Sequence, residues 1–431
     1  MTFALPWPAG TDRRRWIEMT GFAGACLFAF GAWAGIALAN VGTTLMLLAL
    51  LGDGRRVWGV LRRSVWPWLL LASLATLAIS TWRAWPGVSA ALHVEDAGKL
   101  ARLWAFLLVA WWLGGDVRRI WWLLALALAG FAWGRFASPD LRAVATLPPG
   151  ERLGFGLPIL AFGQYAAMAL LGLGLAAPRL WRLRGGALRI VMAALWCAAV
   201  LLLVQGLLIA QARAIWLLLA LLLPLLLWLG LRGSGRAALS RRELAVIAVL
   251  LLVGAGFLAR HFDAIVFRFA AETASFQALL DGRIADVDYG SVGMRVHAWL
   301  YGSDLLAARP WFGWGPGAVR HLLETAPDAG IRTLADFHDL YLELPIRIGL
   351  LGSLPFAIGT VVVFAALQQA RRERRLPRDL HLILLAALVL HFAASVTNMR
   401  TLNFDWRFYW MLFAGAATTF ALHPRAPSTS T

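Results

Sequence analysis

Charge is scarce in this chain, and lysine is scarcer still. Of 431 residues, 15% are charged and 60% are hydrophobic, whereas soluble domains hold about 25% charged and about 45–50% apolar residues. That excludes an ordinary cytosolic enzyme, a disordered protein and a disulfide-rich secreted module. Cysteine is nearly absent. Cys26 and Cys197 sit in apolar runs far from any Cys/His cluster, so neither a disulfide framework nor a zinc site is expected. The chain also lacks H-E-x-x-H, G-x-S-x-G and any metal-type Cys/His spacing. Lys99 is the only lysine, so the formal net charge of +17 is carried almost wholly by arginine. In a soluble protein such a charge would suggest nucleic acid. Here the arginines must first be placed relative to a membrane.

Long apolar runs are abundant. A membrane-spanning helix needs about 20 mostly apolar residues, and the sequence predicts twelve, at about 16–35, 36–52, 64–82, 97–114, 118–136, 156–177, 187–209, 214–231, 243–259, 339–368, 380–397 and 406–422. The fourth contains Lys99 and Arg102. The first run is long, lacks a small-residue cleavage site and leads straight into the second, so it is expected to be retained. With the N-terminus placed in the cytoplasm, every even-numbered connection is basic. These connections carry Arg55, Arg56, Arg62 and Arg63; Arg118 and Arg119; Arg179, Arg182, Arg184 and Arg189; Arg232, Arg236, Arg241 and Arg242; and Arg371, Arg372, Arg374, Arg375 and Arg378. This is the positive-inside pattern. It predicts a multi-pass membrane protein with both termini cytoplasmic, and it accounts for the charge without nucleic acid. The expected organisation is spans one to nine in 1–259, a large helical outer loop in 260–338, spans ten to twelve in 339–422, and a tail in 423–431.

The loop is too long for a plain connector. Residues 261–280 have the mixed spacing of a helix lying beside the membrane, and 294–308 read as a second helix. Pro310 and the run Gly313-Trp314-Gly315-Pro316-Gly317 predict turns after it. Asp286-Val287-Asp288 matches D-x-D, but an acidic turn accounts for three residues equally well. The glycine run lacks the Lys-Ser/Thr of a P-loop.

Several outer-side charges have no role in orientation. Arg213 opens span eight after a very short connection. A helix N-terminus offers free N–H groups and partial positive charge, and arginine adds a planar fork suited to phosphate oxygens. The alternative is an interfacial arginine snorkelling to the surface. Arg295 lies on the second loop helix and on its own reads as an exposed residue. Arg260 and Arg268 are similar. His338 stands where the loop meets span ten, and histidine is the side chain best suited to exchange a proton near neutral pH. Asp336 and Asp339 are close enough in sequence to orient it, and an interfacial or capping histidine is the alternative. Glu343 and Arg347 have the i, i+4 spacing of a helical ion pair, placed inside span ten, where charges face the protein interior.

These residues in this order resemble the O-antigen ligase family, part of a superfamily with O-antigen polymerases and some protein O-oligosaccharyltransferases. The matching pieces are Gln211-Ala212-Arg213-Ala214-Ile215-Trp216, then Gly293-Met294-Arg295 with Trp299, then Arg309 to Gly317, then His338-Asp339-Leu340-Tyr341-Leu342 with Gly349 and Gly352. They cover roughly 200–360. The resemblance implies an all-α integral membrane glycosyltransferase of the GT-C type. Its donor would be O-antigen polysaccharide on undecaprenyl diphosphate and its acceptor the terminal sugar of lipid A–core, with no metal, nucleotide or other cofactor. It also implies that Arg213 and Arg295 bind the donor diphosphate and that His338 is the catalytic base. Asp339, Arg268 and Arg260 are the supporting candidates that their place in the sequence offers. Asp339 departs from the small or amide residue of many relatives. The rival readings are a polymerase, a protein O-oligosaccharyltransferase and, from another class, a lipid or solute transporter. A transporter would place its polar residues near the bilayer midplane.

Overall fold

Runs of leucine, alanine and tryptophan with few breakers favour helix, and every regular element among the described residues is helical. The computed structural model describes residues 12–148, 151–180, 186–232, 256, 259, 266, 270 and 273–423. In chain order the helices are α1 (Asp12–Ala34), α2 (Ile36–Gly52), α3 (Gly54–Leu61), α4 (Trp66–Trp82), α5 (Ala90–Ala101), α6 (Phe106–Leu113), α7 (Val117–Phe136) and α8 (Asp140–Ala143). They continue with α9 (Ile159–Leu180), α10 (Gly186–Ala210), α11 (Arg213–Arg232), α12 (Gly293–Ala308), α13 (Val319–Glu324), α14 (Leu340–Arg372), α15 (Arg378–Ala394) and α16 (Phe404–Leu422).

Among the described residues, four helical stretches can cross a membrane by length and composition: Arg13–Ala34, Ile159–Arg179, Gly186–Ala210 and Leu340–Arg372. The number rises to six if α2 with α3, and α7 with the turn after it, each count as one bent span. Two shorter apolar helices, Trp66–Trp82 and Arg213–Leu226, lie at positions of further expected spans. Expected span four is helical through Leu113 but not uniform. Its charged end belongs to α5, which ends at Ala101; a 3-10 turn over Arg102–Ala105 follows, and α6 has only eight residues. Span nine falls almost wholly outside the described residues, as do Arg260 and Arg268. Of the first loop helix, Val266, Ala270 and residues 273–280 are described and helical.

The helices run between two faces. At one, Arg56 pairs with Glu18 (3.2 Å), Trp111 Nε1 donates to Asp53 (3.2 Å), Arg179 holds Asp379 (3.0 Å) and Arg375 donates to Phe420 O (2.7 Å). The basic connections read from the sequence therefore meet on a common face. The bundle core is apolar and aromatic. Trp112 wedges against Gly21, where a Cβ would fall 2.2 Å from the indole, and its Nε1 donates to Met46 O (3.1 Å). A Cβ on Gly42 would stand 2.4 Å from Phe28 N, so small residues let α1 and α2 close backbone to backbone. At the opposite face a second, smaller core forms from Ala298, Leu305, Val319, Leu322, Phe337 and Ile346. It joins α12 and α13 to the first turns of α14 as a cap.

Candidate functional site

Arg213 is the first residue of α11, as its place after an apolar run and a short connection predicts. The chain reverses through Gln211, whose φ of 48° is left-handed, and Arg213 is half-buried. Gly163 of α9 lies against Ala212, since a Cβ there would meet Ala212 Cβ at 2.8 Å. α11 packs on α9 and α15, so Arg213 is carried by the bundle, not by the cap.

Arg295 and His338 belong to the cap. Arg295 is in the first turn of α12, and its Nη1 donates to Ser291 O (3.0 Å) and Ser291 Oγ (3.2 Å). One turn on, Trp299 Nε1 donates to Phe337 O (2.9 Å), which ties the Arg295 helix to the residue before His338. His338 has φ 55°, a conformation uncommon for a residue with a Cβ and worth a functional explanation when held by its surroundings. What holds it is Asp336. One carboxylate oxygen accepts the His338 backbone N–H (2.8 Å) and lies 2.5 Å from the ring Nδ1. Asp339 points elsewhere: it caps α14 by accepting the N–H groups of Tyr341 (2.7 Å) and Leu342 (3.2 Å). Asp336 therefore orients the imidazole, and Asp339 fixes the start of the helix behind it. With Nδ1 on the carboxylate, the neutral ring carries its proton there and leaves Nε2 as an acceptor.

Behind His338, α14 is broken. Gly349 has φ 74° and ψ 173°, and a Cβ there would stand 2.1 Å from Trp311 O, so glycine is required. In a continuous helix the carbonyls of Ile346 and Arg347 would bond the N–H groups of Leu350 and Leu351. Instead Trp314 N–H donates to Ile346 O and Gly315 N–H to Arg347 O, both at 2.9 Å, while Leu350 and Leu351 donate to Pro310 O (2.7 Å) and Trp311 O (3.2 Å). The turn after α12 is thus spliced into the helix and supplies both sides of the break. Irregular backbone near a membrane is tolerated where protein buries it.

The break also relocates the Glu343–Arg347 pair. The 33 residues of α14 would extend about 50 Å, against a hydrocarbon core of about 30 Å. The pair lies before Gly349, in the part bound to the cap. Arg347 Nε and Nη2 reach Glu343 (2.8 and 2.7 Å), and Nη1 reaches Asp96 (3.3 Å) and Pro316 O. The other oxygen of Glu343 accepts Phe337 N–H (2.8 Å), and Lys99 completes Asp96 (2.7 Å). Each buried charge is answered, which removes much of its desolvation cost. Beside them His93 Nδ1 accepts Gly317 N–H (3.1 Å), and burial pushes this imidazole below its ordinary pKa, consistent with a neutral ring that links α5 to the glycine run.

The turn between α15 and α16 closes the site from the bundle side, a part the sequence reading did not single out. Leu340 N–H donates to Ser395 O (2.9 Å) and Tyr341 hydroxyl to Phe392 O (2.9 Å). Arg400 forks onto Asp405 (2.8 Å), which also accepts the Tyr165 hydroxyl (2.9 Å). The signal was present: Arg400, Asp405 and Arg407 are three charges at the head of a predicted span. Asp286 forms an ordinary acidic turn, paired with Arg283 at 2.9 Å. Among the described residues no three His, Cys, Asp or Glu side chains gather as a metal site.

The cap thus brings the Arg295 helix and His338 together, while Arg213 opens a helix of the bundle. Residues 198–357 match the O-antigen ligase family. That segment is similar to the O-antigen ligase domain. The match takes in Arg213, Arg295, His338 and the Gly349 break, and ends before the α15–α16 turn. An O-antigen ligase domain supports a transferase of the ligase or polymerase type that handles polysaccharide and lipid-linked substrates, in a membrane protein. No curated protein matches the chain.

Proposed function

We propose that this chain is an O-antigen ligase. It transfers O-antigen polysaccharide from undecaprenyl diphosphate to the terminal sugar of lipid A–core, at the periplasmic face of the inner membrane, with 260–338 forming the cap over the reaction. The observation that carries this reading is the Asp336–His338 pair at the edge of α14, inside the matched segment and one tryptophan hydrogen bond from the Arg295 helix.

The chemistry follows from the residue types. A sugar hydroxyl is a weak nucleophile, and a base within hydrogen-bond reach speeds its attack by about 10²–10⁴-fold. His338 Nε2 takes the acceptor proton while Asp336 holds Nδ1 and balances the imidazolium that forms. The acceptor oxygen bonds to the anomeric carbon of the donor as the bond from that carbon to the phosphate oxygen breaks. The electron pair leaves with undecaprenyl diphosphate, and one direct displacement inverts the anomeric centre. The leaving group gains negative charge, which fixed guanidinium groups stabilise. Arg213 and Arg295 serve this role.

The test is reconstitution of the purified protein with lipid-linked O-antigen and lipid A–core, in chelator and without nucleotide. A ladder of capped lipid A–core is expected. Longer lipid-linked glycans without capping would mean a polymerase, and no change in either lipid would favour transport.

A further inference from the structure

One buried charge at the site face is left unanswered. Arg407 lies in the first turn of α16 and keeps 9% of its surface exposed. Its Nε donates to Asn403 O at 3.4 Å, and its Nη1 is shut from solvent with no hydrogen-bond partner among the described residues. The charges around it are Arg102, Asp405 and Asp96. Asp405 is already held by Arg400 and Tyr165, and Asp96 by Lys99 and Arg347. Arg102, in the turn between α5 and α6, is exposed and of the same sign. Arg407 and Arg102 are thus neighbouring charges of one sign, and each nearby carboxylate is engaged elsewhere. At the start of α16 Asn403 makes no side-chain cap, and Asp405 is the acidic residue of the first turn. Proteins rarely leave a buried guanidinium N–H unmatched, and each instance calls for an explanation.

We propose that Arg407, with Arg102, forms an anion site at the outer face that takes a phosphoryl oxygen of a lipid substrate. The proposal rests on the transferase reading and adds a phosphate position to it. Arg213 stands across α9, where Gly163 meets Ala212 and Tyr165 meets Asp405. Arg407 stands on the side of α16 that meets the Arg102 turn, where Trp410 donates to Leu103 O. Nη1 is sealed in this arrangement, so a lipid phosphate entering from the Arg102 side would meet it after the guanidinium swings towards that turn. The chemistry is that of a phosphate ester, whether it comes from the donor lipid, from a membrane phospholipid or from free phosphate.

The experiment uses the full chain in detergent and in nanodiscs, as wild type, Arg407→Gln, Arg407→Lys and Arg102→Gln. Melting is followed with inorganic pyrophosphate, with undecaprenyl phosphate, and in phosphatidylglycerol against phosphatidylcholine discs. Transfer kinetics are measured on the same samples. The wild type is expected to be stabilised by at least one phosphate probe, and the probe that acts identifies the source. Arg407→Gln is expected to weaken that stabilisation by about tenfold or more, the loss of one or two charge-assisted hydrogen bonds. It should also raise the donor KM more than it lowers kcat. Without ligand it should melt no lower than wild type, because it removes a charge the fold does not satisfy. Arg407→Lys keeps the charge and loses the fork, and should fall between the two. The proposal is overturned if Arg407→Gln melts lower than wild type without ligand while leaving probe binding and donor KM within about twofold, which marks a structural arginine. If Arg407-dependent phosphate binding persists but the wild type transfers no glycan, the anion site stands and the ligase reading fails.

Discussion

Arginine has different partners at the two ends of these helices. At the basic face, beside the part-exposed pairs Arg56–Glu18 and Arg179–Asp379, several arginines donate to carbonyls at helix C-termini: Arg375 to Phe420 O, Arg119 to Trp112 O and Arg378 to Leu229 O. Those carbonyls lack intrahelical partners and carry the negative end of the helix dipole, so any nearby cation serves. At the site face Arg347 and Arg400 meet buried carboxylates, each with further hydrogen bonds. There the partner is a specific charge in a specific place. The first arrangement tolerates substitution and sets orientation. The second fixes geometry, and it surrounds the one histidine whose backbone is held in a left-handed conformation among the cap residues.

The contrast can be broken most directly through His338. Changing it to Ala should cut transfer by about 10²–10⁴-fold and leave the melting temperature near that of wild type. Arg375→Ala at the other face should leave turnover per folded molecule unchanged. Equal losses in the two variants would erase the distinction. Next in size is Arg347→Met, which strands Glu343 and Asp96. Breaking a buried ion pair from one side costs about 3–5 kcal/mol, seen as a large drop in melting temperature in detergent, whereas Arg375→Met should cost about 1 kcal/mol. Gly349→Ala should lower stability by about 1–3 kcal/mol from its backbone alone, and should reduce transfer because the clash with Trp311 displaces the helix that carries His338. The basic face supplies the smallest effect. Burial pushes the His423 pKa down to about 4 from its usual 6.5, so the unfolded chain binds the proton more readily. Stability is then fully present above pH 6.5 and is lost as pH falls towards 4. Melting curves across that range should flatten in His423→Gln.

Much of this architecture is legible in the sequence, because its causes are local. Arginine clusters at alternate connections forecast which helix ends share a face, and Arg179, Arg375 and Arg378 meet there. The spacing of 294–308 predicts α12, and a short connection before Arg213 predicts a helix start. The break at Gly349 is not legible. Helical spacing continues through it, and the groups that replace its hydrogen bonds come from Pro310–Gly315, far upstream. The same holds for Lys99 and Arg102, which read as misfits in a span until α5 is seen to stop at Ala101. The charge of Arg407 is visible beside Arg400 and Asp405, but its isolation is not. Only the partners of Asp405 and Asp96 reveal that no carboxylate remains for it. The role of His338 rests on the family resemblance, and Asp336, not Asp339, is the residue that touches its ring.

The splice at Gly349 decides where this protein can be cut and rejoined. Because the turn after α12 and the middle of α14 complete each other, the cap is not an exchangeable insert bounded by its loop. A chimera that borrows another cap with a junction at Asp339 would bring a turn whose donors and acceptors do not match the recipient helix. A junction after Leu351 carries both halves of the joint together, along with Glu343 and Arg347. Any redesign of acceptor choice through the cap has to treat residues 293–351 as one inherited unit.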